Sequence, residues 1–454
     1  MGKEKALQYA HSHQQDFLKD LITFLEIPSI STQPESKPDV QKAAEWLAMR
    51  LEKIQMEHIQ ILPTAGYPVV YADYLHAPKT APTVLIYGHY DVQPADPLDL
   101  WQTGPFQPTV RKDALFARGA SDMKGQIAAC LYAIESIITQ NPLPINVKFI
   151  FEGEEEIGSP NLPPFIKDHK ELLSSSFALN PDTGMIAADI PTIVYGLRGL
   201  AYFELRVFGP AHDLHSGVFG GIIHNPATAL CEIIAGMHDK DNRVNLPGFY
   251  DKVRPISTEE KKELARLPLN DKYYLQQTGS PMIWNEKGYT STESVGARPT
   301  LDVHGLLSGF TGEGSKTVIP AWAMAKISMR LVPDQDPEEV HQQLIKYLEH
   351  KAPSSIRWEL TPMGHGPACI ADRQHPATIA LFKAMKTVWG KDPVFKREGG
   401  SVPIVSDMQE MLKIDSVLTG FGLPDDNIHA PNEKLDLPTW YRGIDTLIHF
   451  FYNL

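Results

Sequence analysis

Five short stretches concentrate imidazole and carboxylate groups in a pattern that suits divalent-cation chemistry. Residues 83–91 read Thr-Val-Leu-Ile-Tyr-Gly-His-Tyr-Asp, an apolar run that ends on His89 and Asp91. In extended chain, residues two apart share one side of the strand. Asp91 can therefore orient His89, as carboxylates orient metal-ligating imidazoles. Asp122 stands in the segment 118–125, Arg-Gly-Ala-Ser-Asp-Met-Lys-Gly, just ahead of an apolar helical run. Residues 152–159 read Glu-Gly-Glu-Glu-Glu-Ile-Gly-Ser; Asp182 follows the apolar run 177–180, and His429 lies in a polar stretch near the C-terminus.

Each stretch alone has a plainer reading. An Asp before a helix is a cap, and a glutamate run is a solvated face. Three successive apolar strands that each end in a carboxylate are harder to explain that way. His89, Asp122, Glu156, Asp182 and His429 supply the count that two ions about 3.5–4 Å apart require, one bridging carboxylate and two terminal ligands each. Nitrogen and oxygen donors without thiolate suit Zn²⁺, Mn²⁺ or Co²⁺. Glu155, beside a ligand, can act as general base towards an attacking water.

The elements that must position these groups follow from periodicity. Apolar runs at 83–89, 147–151 and 177–180 predict strands buried on both faces, as in a parallel sheet. Such sheets bind ligands outside the carboxyl ends of their strands. Amphipathic spacing predicts helices over 6–26, over 39–54 with Asp39 as cap, and over 127–138. Residues 92–118 form a long loop rich in Pro and Asp. From about 199 the texture changes to period-two alternation at 201–208, 323–332 and 356–361, an antiparallel sheet with one solvated face. Helices are expected at 226–238 behind Asn225 and Pro226, at 258–267 behind a Ser257/Glu260 capping box, and at 337–350. After residue 366 the first texture returns, with helices near 376–389, 403–412 and 438–452 and a strand at 415–421. The chain therefore reads as α/β. A catalytic domain, 1–198 and 367–454, carries an inserted α+β domain, 199–366.

Composition narrows the function. The 454 residues are 43% hydrophobic and 21% charged, ordinary for a globular protein. A formal charge of −13 argues against a general nucleic-acid surface. Three widely spaced cysteines suggest buried thiols in a reducing compartment. No stretch approaches the ~20 apolar residues of a membrane span, so a cytoplasmic setting is expected. Residues 309–317 imitate a phosphate-binding loop, but Ser315 stands where Lys must follow Gly directly.

The motifs at 87–94, 118–125 and 152–159 resemble those of the di-zinc exopeptidases, the family of carnosinase, aminoacylase, carboxypeptidase G and succinyl-diaminopimelate desuccinylase. The segments 213–221, 330–333 and 397–403 are most similar to its branch of carnosinase and cytosolic non-specific dipeptidase. The resemblance implies a mixed, mostly parallel sheet flanked by helices, with the inserted domain serving as lid and dimer contact. It implies a metallo-dipeptidase with two ions, Zn or Mn, per subunit. Asp122 would bridge them, His89 and Asp182 would complete one site, and Glu156 and His429 the other. Glu155 would be the base and Asp91 the orienting carboxylate, and the Asp122–Met123 peptide would be cis. His215 and Thr317 would reach the active site of a partner subunit in a homodimer. Arg330, His365, Glu398 and Ser401 would contact the substrate, Arg330 offering a bidentate fork to its C-terminal carboxylate. An N-acyl-amino-acid deacylase would share the whole metal site.

Overall fold

The structure, a computed structural model, describes residues 2–400 and 402–454. The chain divides into two compact units. One holds Met1–Tyr195, Ala371–Phe395 and Ile404–Leu454; the other holds Gly196–Ile370 and Lys396–Pro403. The short return segment Lys396–Pro403 thus groups with the second unit, although its position in the sequence follows the insertion.

The first unit is built on a mixed sheet. Its four central strands, Asn146–Glu152, Thr83–His89, Phe177–Asn180 and Asp415–Leu418, run parallel in that spatial order. Val69–Tyr74 adds antiparallel to Asn146–Glu152, and Glu57–Leu62 closes that edge. The parallel strands carry apolar runs because both faces are covered: Val84, Leu85, Ile86 and Tyr87 are fully buried, as are Val147, Phe149, Ile150 and Phe151. Thr83–His89 and Asn146–Glu152 are joined through helix Lys124–Ile138, which is buried on nearly every face. It packs against Gly2–Ser12, Gln14–Leu25 and Leu437–Asn453. Gly88 permits this packing, since a Cβ there would lie 2.6 Å from Ile127 Cγ1. Lys124, fully buried at the start of the helix, donates to the carbonyls of Phe24 (3.2 Å) and Ile27 (2.7 Å).

Three local expectations need correction. The helix predicted over 6–26 is two, Gly2–Ser12 and Gln14–Leu25. They meet at His13, whose ring nitrogen bonds the Tyr9 carbonyl at 2.9 Å. The next helix begins at Lys37, so Asp39 lies in its first turn and does not cap it. The strand predicted over 415–421 ends at Leu418.

The second unit is a four-stranded antiparallel sheet in the order Thr300–Ser308, Trp322–Leu331, Gly199–Phe208, Arg357–Gly366. Ala325, Ile327, Met329 and Leu331 face the core beneath helices Pro226–Ala235 and Pro337–Lys351. Met324, Lys326 and Arg330 alternate with them on the other face. Asn225 caps its helix by accepting from Ala227 N–H at 2.9 Å. Ser257 caps the short helix Thr258–Leu264, while the Glu260 carboxylate forms an ion pair with Arg397.

Truncating Ile86, fully buried at the centre of the parallel sheet, removes packing that nothing nearby can replace. Ile86→Ala should cost about 2–5 kcal/mol, read as a lower denaturation midpoint for the first unit in urea.

Candidate metal centre

The carboxyl-terminal ends of three of the four parallel strands, together with two loops, deliver the candidate ligands. His89 terminates its strand with no exposure. One of its ring nitrogens, Nδ1, faces the Asp91 carbonyl at 3.1 Å and the Asp91 carboxylate at 3.5 Å. The other, Nε2, is 3.1 Å from Asp122 Oδ1 and 3.9 Å from Asp182 Oδ2. Asp122 Oδ2 faces the opposite way, 2.9 Å from His429 Nε2, which also lies 3.2 Å from Glu156 Oε2. The five residues thus form two groups, His89/Asp122/Asp182 and Asp122/Glu156/His429. Within each, the ligand atoms lie within 4.8 Å of one another. Asp122 belongs to both and gives one oxygen to each.

Local structure explains these orientations. Helix Lys124–Ile138 is preceded by Met123, and no side chain caps it, so the Asp122 carboxylate is free for the centre. The Asp122–Met123 peptide is cis. Glu155 and Glu156 open a single 3₁₀ turn, closed by Gly158 in the left-handed region (φ 87°). Asp91 holds that turn: its two oxygens accept from the N–H groups of Glu155 (3.2 Å) and Glu156 (3.1 Å). Asp182 N–H donates to Asn180 Oδ1 at 2.8 Å. His429 sits in a loop where Asn427, His429 and Asn432 all have positive φ. For a non-glycine residue that is a strained backbone, of the kind that collects at functional sites.

Electrostatics supports cations here. Asp91, Asp122, Glu155, Glu156 and Asp182 crowd around two imidazoles. Burial, then the neighbouring carboxylates, push Asp182 up to about 7 against the pull of His89. Burial likewise lifts Glu155 well above the usual carboxylate range. Burial opposes a charged His89, yet hydrogen bonds with Asp122 and Asp91 raise it far above its ordinary value. Hydrogen bonds with Asp122 and Glu156 raise His429 to about 10. Asp122 alone is held low: burial works against its charge, but the two imidazoles outweigh burial. The nitrogen and oxygen donors of the two groups, with three carboxylates and two imidazoles among them, suit a pair of divalent ions. The donor set fits the metal.

Several contributors carry no signal in sequence spacing. Gln93 donates to Glu156 Oε2 at 2.9 Å. Glu433, fully buried, accepts from the backbone of Asp122. A third group, Glu57/His58/Asp73, also has ligand-like spacing, but its atoms already pair with protein. His58 and Tyr71 each bond Asp73 at 2.8 Å, and His76 bonds Glu57 at 2.9 Å.

The remaining candidates belong to the second unit. His215, exposed, caps a single turn by accepting from Gly217 N–H at 2.9 Å. It adjoins Thr317, whose carbonyl accepts from Ser216 N–H at 3.2 Å. Arg330 and Gly366 flank Leu200 on the two neighbouring strands, and His365 pairs with Ala201. Arg198 donates to Gly399 O at 2.9 Å, and burial, with the Arg330 charge adding to it, lowers Arg198 to about 10. Glu398 forms an ion pair with Lys396 at 2.6 Å. Ser401 lies outside the described residues.

A mixed α/β sheet with paired histidine–carboxylate groups beyond its parallel strand ends defines a candidate two-metal hydrolase. Comparison with known proteins identifies the family. Residues 85–453 match the model of peptidase family M20/M25/M40, and the chain belongs to that family. It is 32% identical to the Cys-Gly metallodipeptidase dug1 of Schizosaccharomyces pombe, over 100% of this chain and 98% of that protein. It is also 32% identical to the human Beta-Ala-His dipeptidase, over 99% of this chain and 92% of that protein. Among solved structures, the M20 family metallo-carboxypeptidase Sso-CP2 of Sulfolobus solfataricus superposes with a TM-score of 0.86. That match has 34% identity and covers 96% of this chain and 98% of that one.

If the crowded carboxylates await cations, metal ions must stabilise the fold. Protein stripped of metal should melt at a lower temperature than protein with Zn²⁺ or Mn²⁺ added. At a hundredfold excess over Kd the gain is about 2.7 kcal/mol per site. Thermal melts with and without each ion check this, and unchanged melting with both would count against the centre.

Proposed function

We propose that the chain is a metallo-dipeptidase that hydrolyses the peptide bond of dipeptides or short peptides. The observation that carries this reading is the Asp122 carboxylate, one oxygen turned to each of two histidine–carboxylate groups. Similarity over the full chain to two proteins named as dipeptidases supports the same reading.

In this reading His89 and Asp182 would hold one divalent ion, Glu156 and His429 the other, and Asp122 would serve both. Such ions, when bound, polarise the scissile carbonyl and make the attacking water more acidic. Glu155 takes the proton of the attacking water and returns it to the leaving amine. Burial suits it to that task, because a desolvated carboxylate holds a proton well. Asp91 fixes the turn that presents Glu155 and keeps His89 facing the centre. In the second unit, Arg330 receives the substrate carboxylate with its planar fork. His215 donates to the oxygen on which negative charge develops, and Thr317 lies beside it. His365, Glu398 and Ser401 complete the substrate contacts.

The family resemblance adds a homodimer in which His215 and Thr317 serve the partner's active site. The exposure of His215 beside Thr317 is consistent with that role. Among the described residues, no helix is long and apolar enough to cross a membrane. Cys130 and Cys369 are buried free thiols, in keeping with a reducing, cytoplasmic setting, whereas Cys231, expected to be buried, is exposed.

Glu155→Gln should retain both ions by metal analysis and lose about 10²–10⁴-fold in kcat; turnover like that of the wild type would remove Glu155 from the base role. A dipeptide assayed beside its N-acetylated form separates a dipeptidase from a deacylase. The free dipeptide should be the better substrate, and preference for the blocked form would reverse the assignment. Light scattering should report a dimer at micromolar concentration, and a clean monomer would defeat the shared-site arrangement.

A further inference from the structure

Glu433 takes no part in the chemistry above, yet the turn that carries Asp122 is built on it. Its Oε1 accepts from the backbone N–H groups of Ser121 and Asp122, both at 3.0 Å. Its Oε2 accepts from Gly119 N–H at 2.9 Å and from Arg118 Nη1 at 2.8 Å. Neither side chain meets solvent: Glu433 is 0% exposed and Arg118 1%. Arg118 is anchored in turn by a 3.0 Å bond from Nη2 to the Pro94 carbonyl.

The same chain segment carries His429. At its other end Asp426, also buried, uses Oδ2 to accept from Ser121 Oγ (2.8 Å) and from Leu423 N–H (2.7 Å). The backbone adds Ala117 N–H to Glu433 O at 3.1 Å. The 426–433 loop is thus clasped at both ends to the 117–122 turn, and His429 and Asp122 face each other across that clasp at 2.9 Å.

The geometry points to Glu433 as a positioning residue that sets Asp122 against His429, and through the shared Asp122 tunes both candidate metal groups. This rests on the two-ion reading of the site. A carboxylate is the one side chain that offers two oxygens, and no hydrogen, to four converging N–H donors. Glutamine at this position would turn an NH₂ group towards two of those donors, and the turn would have to shift to escape them. Groups one layer behind metal ligands characteristically act in this way.

The test is titration of Zn²⁺ into metal-depleted wild-type protein and Glu433→Gln, in competition with a chromophoric chelator well below the melting temperature. Both equivalents should weaken by about 10–100-fold in the variant while its circular dichroism stays that of a folded protein. Leu381→Ala, a core truncation in helix Pro376–Trp389, serves as the control for general destabilisation and should keep wild-type affinity. A Glu433→Gln variant with a lowered melting temperature but unchanged affinity would overturn the proposal and leave the two-ion reading standing. Wild-type protein that takes up no ion would overturn that reading itself, and the proposal with it. Should Glu433→Gln fail to fold, Glu433→Asp carries the test. It keeps the charge but retracts it from the N–H groups, so affinity should fall several-fold, and an unchanged affinity would overturn the proposal.

Discussion

Repulsion among carboxylates gathered at one end of a parallel sheet is the constraint on which the first unit depends. Two like charges 4 Å apart repel by about 4 kcal/mol at an effective dielectric near 20. Asp122 lies within 4.8 Å of Asp182 in one group and of Glu156 in the other. Part of the repulsion is offset by protein groups. Asp91 takes two backbone N–H donors, and Asp122 takes an imidazole on each oxygen. Burial first, with the neighbouring carboxylates adding to it against the pull of His89, raises Asp182 and Glu155. The centre is a pre-stressed arrangement that two cations would relax. The surrounding frame must be rigid enough to keep the ligands together without them.

That rigidity comes from burial. The strand bearing His89 is hydrogen-bonded on both sides, and the largely buried helix Lys124–Ile138 is pressed against it at Gly88. Two buried cations, Arg118 and Lys124, flank Asp122 in sequence. Arg118 is neutralised by Glu433. Lys124 donates to the Phe24 and Ile27 carbonyls, and burial pulls it down to about 7. The acidic pocket is therefore backed by basic groups that never reach it. Arg118 braces the Asp122 turn through Glu433, and Lys124 ties the start of its helix to Phe24 and Ile27.

Much of this was legible in the sequence, for a specific reason. His89, Glu156 and Asp182 each follow an apolar run whose end marks the end of a strand, so pattern and site coincide. Asp122 was ambiguous as a cap, and the absence of any side-chain cap at Met123 resolves the ambiguity. The alternation in the second unit was readable because one face of its sheet is solvated. What could not be read were contacts between distant residues and backbone details. Glu433 meets Asp122 across 311 residues, and nothing in either segment announces the pairing. The hold of Asp91 on two backbone N–H groups needs the 3₁₀ turn, which a run of glutamates does not specify. The break at His13 comes from a side chain bonding its own helix, which leaves the apolar periodicity intact.

The two ligand groups differ in their dependence on the fold. In the first, His89 is 0% exposed and Asp182 16%, and both sit at the ends of paired strands. Their positions follow from the sheet. In the second, Glu156 is buried, but His429 is 52% exposed and lies on a loop with three left-handed residues. No strand fixes that loop at the ligand itself. Its geometry is inherited from its ends, where Asp426 and Glu433 grip the Asp122 turn. The bridging aspartate and the exposed histidine are therefore positioned by one buried network, and the more open group is as well defined as that network allows.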